Sequence, residues 1–244
     1  MESGPVIQAV ILSLLCASAA VLLCIIPATL IALWLARRNF VGKALVEMAV
    51  MLPVVVPPVV TGYLLLVMLG RRGVLGPVLE TFGIRVAFTW FGAALAQSVV
   101  AMPFLVLTLR VAFEAVDREL EKAAQTEGAS RWSVFWMITL PLAWQGMAAG
   151  CALAFARALG EFGATIIIAG NIQGQTRTLP LAIYSSLNEP GAEAQTVGLV
   201  CVAIALAFAA LVLSRVLSVG KSWKSGKLDS FNTGRGSAGR RRSD

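Results

Sequence analysis

Arg157 and Glu161 stand four residues apart in the apolar run 144–169, and they are its only charged side chains. On a helix that spacing puts both on one face, where they can pair. A charge at bilayer depth costs roughly 2.5–3.5 kcal/mol on insertion scales. The two side chains are therefore expected to pair with each other or with polar groups toward a subunit centre. One role open to Arg157 is a transient attraction for an anion; the other is that the pair fixes how this run packs. The packing role is preferred, because a permeation site that held its anion tightly would release it slowly. A second constellation lies in the run 45–69, which holds Pro53, Pro57, Pro58 and Gly62 with the hydroxyl of Thr61 beside them. Proline removes a helix hydrogen bond and bends the axis. Broken helix inside a membrane is tolerated only where protein or water satisfies the freed carbonyls. The run reads either as a kinked helix lining a pathway or as a kink that only shapes packing.

Other chemistry is excluded by residue type. The chain has no histidine, which removes the commonest general base and most zinc or copper sites. Cys16, Cys24, Cys151 and Cys201 all lie in apolar runs with no C-x-x-C pair, and they read as small hydrophobes. No G-x-x-x-x-G-K-[ST] occurs, so ATP cannot be bound by that device. No catalytic, metal or cofactor site is expected in this chain.

The elements that must position these residues follow from composition. Of 244 residues, 58% are hydrophobic and 14% charged, with a mean hydropathy of +0.81; soluble domains carry about 25% charged residues. A helical span needs roughly 20 apolar residues. Five such spans are expected, at about 6–35, 45–69, 90–111, 144–169 and 196–217, giving an all-α integral membrane protein. The start, Met-Glu-Ser-Gly-Pro, lacks the basic n-region of a signal peptide, so the first run reads as a retained span. Lys/Arg asymmetry sets orientation. One side gathers Arg37, Arg38, Lys43, Arg110, Arg118, Lys122, Arg131, Arg215 and a basic tail; the other holds Arg71, Arg72, Arg85 and Arg177. The N-terminus is expected outside and the C-terminus in the cytoplasm. The tail 221–244 carries seven Lys/Arg against two Asp and supplies most of the net charge of +7. It reads as a disordered element near lipid headgroups rather than as a nucleic-acid site.

Between the third and fourth spans, at 117–141, lies the most polar internal stretch. Asp117 to Glu127 is rich in helix formers. Gly128 is placed to stop that helix in a left-handed conformation, and Ser130 to cap a second one through about Leu140, with Pro141 ending it or starting the next. The pattern predicts two short cytoplasmic helices around a glycine turn, with Trp132, Phe135 and Trp136 at the membrane interface. The small pair Ala123–Ala124 would let another surface come close.

Ala123-Ala124, Gly128 and Ile138-x-Leu140-Pro141 together resemble the EAA loop of ABC importer permeases. The family pattern has Glu directly before the two alanines; here that position is Lys122, and Glu121 lies one residue earlier, about 100° round a helix. The stretches beginning at Leu52, Phe155 and Thr176 (LPVVVPPVVTGYLLLVMLGRRG, FARALGEFGATI and TRTLPLAIY) are similar to the molybdate branch of these permeases, with tungstate and sulfate permeases as near relatives. The resemblance implies ATPase-coupling roles for Glu121, Lys122, Ala123, Ala124, Gly128, Ile138, Leu140 and Pro141. It also implies a homodimer in the bacterial cytoplasmic membrane, two ATP-binding partner subunits, and a binding protein outside that delivers an oxyanion. Pro57, Pro58, Thr61, Gly62, Arg157, Glu161 and Gly163 are the translocation-path candidates. The loop 170–191 is expected to cover the pathway mouth, with a short helix starting at Thr178-Leu179-Pro180. Two rivals stand beside this reading. A stand-alone secondary transporter predicts inverted repeats, and none is visible; a membrane scaffold predicts no ATPase partner.

Overall fold

A computed structural model describes residues 3–219; the basic tail 221–244 lies outside the described residues. Every regular element among these is a helix: α1 (Ser3–Arg37), α2 (Lys43–Val55), α3 (Pro58–Leu69), α4 (Gly76–Thr81), α5 (Trp90–Glu114), α6 (Arg118–Thr126), α7 (Arg131–Val134), α8 (Leu140–Leu159), α9 (Gly163–Ala169), α10 (Leu179–Leu187) and α11 (Glu193–Val219). A π-helical turn, Phe135–Thr139, joins α7 to α8.

α5 is the centre of the bundle. Ala101, Leu105, Leu109 and Phe113 of α5 pack with Ala17, Ala20, Ala28 and Ala32 of α1 and with Ala154 and Ala158 of α8. Lipid tails are as apolar as leucine, so helices associate through close packing of small residues. At Gly146 of α8 a Cβ would lie 2.5 Å from Ala112 Cβ on α5. Larger apolar side chains point outward, with Leu22, Ile26 and Leu30 forming an exposed stripe on α1.

Among the described residues four helices are long and apolar enough to cross a membrane, α1, α5, the continuous helix Arg131–Leu159 and α11, and the bent pair α2–α3 makes a fifth if it is one broken span. The runs expected at 6–35, 90–111 and 196–217 correspond to α1, α5 and α11. The other two runs differ from expectation. The run 45–69 is not one kinked helix. It breaks at Val56 and Pro57, which are extended, and α2 and α3 meet at 103°. At 1.5 Å per residue each half is about 20 Å long, short of a core about 30 Å thick. Two adjacent prolines explain the break, since Pro57 and Pro58 both lack the N–H that would carry the helix on. α2 buries no side chain and is tied to α5 by the Glu47–Arg110 ion pair at 2.8 Å. The fourth run, 144–169, also divides, with α8 ending at Gly160 and α9 starting at Gly163.

The second of the two short helices expected in 117–141 is not separate either. It runs from Arg131 through the π turn into α8 as one helix of 29 residues. Pro141 neither stops nor starts it. The turn N-terminal to Pro141 widens, so that the Leu140 N–H donates to the Phe135 carbonyl. That widening accommodates a proline ring that would clash in a regular α-helix.

Candidate functional site

Two constellations stand out, one at each end of α8. The first is the elbow at 117–139. Asp117 caps α6 by accepting from the Glu119 N–H at 2.9 Å. α6 then ends as the sequence predicts. Gly128 has φ +93°, the Ala129 N–H donates to the Ala124 carbonyl at 3.0 Å, and the Gly128 N–H donates to the Gln125 carbonyl at 3.1 Å. Together these bonds form a Schellman motif. A Cβ at Gly128 would meet open space, so what demands glycine there is its left-handed backbone. Ser130 caps the following helix by accepting from Ser133 N–H at 3.1 Å.

α6 buries no residue, so its position depends on polar ties. Glu121 Oε1 accepts from Arg37 Nη2 at the end of α1 and from Thr139 Oγ1 in the π turn, both at 2.6 Å. The Arg37 and Glu121 side chains are only 16% and 13% exposed. Arg118 donates to the Ala36 carbonyl. Lys122, in contrast, points to solvent and pairs with exposed Glu119 at 2.8 Å. Ala123 is exposed beside it and Ala124 is half-buried. The one-residue shift read from the sequence is therefore a change of face: Glu121 turns into the protein and Lys122 outward. Ile138 and Leu140 flank buried Thr139 and are themselves half-buried; Pro141 is exposed. Trp132 and Trp136 are exposed and in edge contact at 5.6 Å.

The second constellation gathers the pathway candidates. Arg157 Nη2 pairs with Glu161 Oε2 at 2.9 Å. Glu161 Oε1 accepts from the Ala164 N–H at 2.9 Å, so Glu161 caps the first turn of α9. Glu161 is 2% exposed and Arg157 29%. Ala164 is also the residue against which α3 packs, because a Cβ on Gly62 would lie 2.6 Å from its carbonyl oxygen. Gly163 also approaches Pro58 and Val59, less tightly, with 3.1 and 3.3 Å left for a Cβ. Arg157, Glu161, Gly163, Gly62 and Pro58 thus form one connected unit with buried Thr61 next to Gly62. Pro57 marks the corner and is exposed. The small residues of 160–164 serve packing within the chain at Gly163 and Ala164, while a Cβ at Gly160 would come no nearer than 4.0 Å to any atom outside its immediate chain neighbours.

The short helix expected after Thr178 is α10. Its Leu179 N–H donates to Ser13 Oγ on α1 at 2.6 Å. Tyr184 packs in a tilted ring contact at 5.3 Å against Phe162, which lies in the α8–α9 break. Asn171 joins Ser185 and Arg177 at 2.8 and 2.9 Å. The sequence reading missed Arg37, Thr139, Ser13, Phe162 and Tyr184. A polar residue inside an apolar run was the available signal for Thr139 and Ser13.

Residues 28–220 match the family described as binding-protein-dependent transport system inner membrane component. The molybdenum transport system permease protein ModB of Haemophilus influenzae is 50% identical over 213 residues, covering 87% of this chain and 93% of the relative. Chloroplastic sulfate permease 2 of Chlamydomonas reinhardtii is 40% identical over 201 residues, covering 82% and 51%. In the crystal structure of a bacterial ABC transporter involved in import of the acidic polysaccharide alginate, one chain superposes with a TM-score of 0.65. The overlap covers 90% of this chain and 82% of that one at 23% identity, which speaks for the fold alone.

Proposed function

This chain belongs to the binding-protein-dependent transport system inner membrane component family, and on that premise we propose that it is the molybdate permease of a bacterial ABC importer. The observation that carries the reading is the elbow. A short polar helix with no buried residue is clamped by Glu121 on its inner side and leaves Ala123 exposed on its outer side. That is the shape of a lever meant to be gripped by another protein. The choice of molybdate rests on the 50% identity across nearly the whole molybdenum permease, against 40% across half the length of the sulfate permease.

In this reading two copies form the conduit across the inner membrane, with the N-terminus outside and the elbow and C-terminus in the cytoplasm. Two partner subunits bind and hydrolyse ATP beneath the elbows, and a soluble binding protein delivers the oxyanion at the α10 side. Nucleotide draws the ATPase pair together, the gripped α6 helices follow, and the dimer shifts toward its outward-open state. The shift is differential binding of the partners to two conformations. The break at α3 and α9 is where the path opens, with Arg157 close enough to attract the anion and committed to Glu161 strongly enough not to hold it.

The test is reconstitution. Proteoliposomes holding this chain with its ATPase and binding protein should take up molybdate only when ATP is supplied, and loaded binding protein should stimulate hydrolysis. Uptake by the chain alone, or failure of any ATPase to co-purify with it, would refute the reading.

A further inference from the structure

A cavity of about 520 Å³ lies between the end of α1, α6 and α7, and the elbow's proposed role does not use it. Its floor is basic. Arg37, Arg38, Arg118, Lys122 and Arg131 line it, against the single carboxylate of Glu121. Arg37 is committed to Glu121 and Lys122 to Glu119. Arg118 donates to a neutral carbonyl. Arg38 and Arg131 are exposed, and among the described residues neither guanidinium has an ion pair or a hydrogen bond. Three guanidinium groups therefore face one space without a carboxylate of their own. The roof is different in kind, made of Leu30, Leu33 and Trp34. Leu30 continues the exposed apolar stripe of Leu22 and Ile26 along α1. Exposed Trp132 and Trp136 lie on the neighbouring helix, and tryptophan favours the level of the lipid headgroups.

We propose that this cavity binds the phosphate headgroup of an anionic phospholipid from the cytoplasmic leaflet, with the acyl chains lying along Leu22, Ile26 and Leu30. A phosphodiester suits a planar guanidinium fork better than any other membrane component does, and basic pockets beside spanning helices on the cytoplasmic side are where such headgroups settle. A free phosphate would satisfy the floor but would gain nothing from the apolar roof. The choice of leaflet rests on the orientation proposed above. The consequence is that the inner side of α6 is braced by lipid while the outer side is free for the ATPase.

The complex with its ATPase is placed in a phosphatidylcholine bilayer doped with phosphatidylglycerol, released into mild detergent, and the retained lipids are counted by native mass spectrometry. Wild type should retain phosphatidylglycerol. Arg38→Gln with Arg131→Gln should lower retention about 30-fold, as expected for losing two cations at the membrane surface. Each single variant, altered at an exposed side chain, should lower it about fivefold and serves if the double variant assembles poorly. Equal retention by all forms overturns the proposal. So does displacement of the lipid by millimolar inorganic phosphate, which would mark a soluble-anion site. Unchanged lipid with loss of the ATPase would assign the surface to the ATPase and overturns it as well. Labelling of Arg38→Cys by an impermeant maleimide reports the orientation separately. Labelling from outside would sink the topology while leaving the lipid count standing.

Discussion

Replacing Glu121 by Gln is expected to loosen the elbow without unfolding the bundle. Glu121 holds Arg37 and Thr139 through one oxygen, with both donors at 2.6 Å. Hydrogen bonds to an ionised group contribute about 1.5–3 kcal/mol each, roughly twice the neutral kind. Glutamine keeps an acceptor of the same shape and loses the charge, so about half of each bond disappears, or ~2 kcal/mol for the two together. The pair is largely shielded from water, which limits screening. Two kcal/mol corresponds to about a 30-fold rise in the opening equilibrium of α6.

Hydrogen exchange of the amides in 118–139, measured on the intact complex in lipid, reads that opening directly. The control is Lys122→Gln. Its partner is exposed and so is the lysine; a surface pair of this kind contributes 0–1 kcal/mol, so exchange should change by no more than about fivefold. Glu121→Gln should also leave ATP hydrolysis running while uptake falls, because the lever is held less firmly. If the two substitutions raise exchange equally, or if Glu121→Gln leaves it unchanged, the division of labour between the two faces of α6 is wrong.

Gly62→Ala should force α3 and α9 apart, since its Cβ would sit 2.6 Å from one backbone atom and 2.8 Å from another on Ala164. Overpacking of this kind costs about 1–3 kcal/mol, and a thermal unfolding curve identical to wild type would show that the two helices do not cross so closely. Arg157→Gln should reduce assembly more than Glu161→Gln does. It strands a carboxylate that is 2% exposed, whereas the reverse change leaves an arginine that reaches solvent. Breaking a buried pair from one side costs about 3–5 kcal/mol, and the yield of monodisperse protein on size exclusion in detergent measures it. Transport lost in Arg157→Gln with full assembly would instead give the guanidinium a direct role on the anion.

Local rules made half of this structure readable. The Schellman turn at Gly128 and the cap at Ser130 use residues within six positions of each other, and the sequence placed both. Span ends in α1, α5 and α11 followed hydropathy in the same way. The breaks were harder to see. Pro57 and Pro58 announce a bend, but an angle of 103° depends on where α3 finds its partner, and Ala164 lies more than 100 positions away. Gly160 and Gly163 lie inside one apolar run, with nothing local to mark a helix end between them. That Glu161 between them caps a new helix appears only when its carboxylate is seen on the Ala164 N–H. Arg37 looked like a topogenic charge, because its partner is 84 positions distant. Thr139 occupied the variable place between Ile138 and Leu140, and nothing local said that it would meet Glu121.

If α6 is gripped as proposed above, these contacts define a route for force. α6 has no apolar anchor, so a pull on it leaves through its polar ties, to Arg37 and Ala36 at the end of α1 and to Thr139. The Thr139 branch enters a helix that runs unbroken from Arg131 to Leu159, about 42 Å by its rise. At the far end of that helix the Arg157–Glu161 pair hands the motion to α9, and the Gly62–Ala164 contact hands it to α3. A rod of this kind transmits a tilt without having to bend. Both break points then move as one, because Glu161 holds both Arg157 and the first turn of α9. The residues that could attract an anion and the residues that a partner could grip thus lie at the two ends of one helix, and Glu121 and Glu161 are the side chains that connect each end to its load.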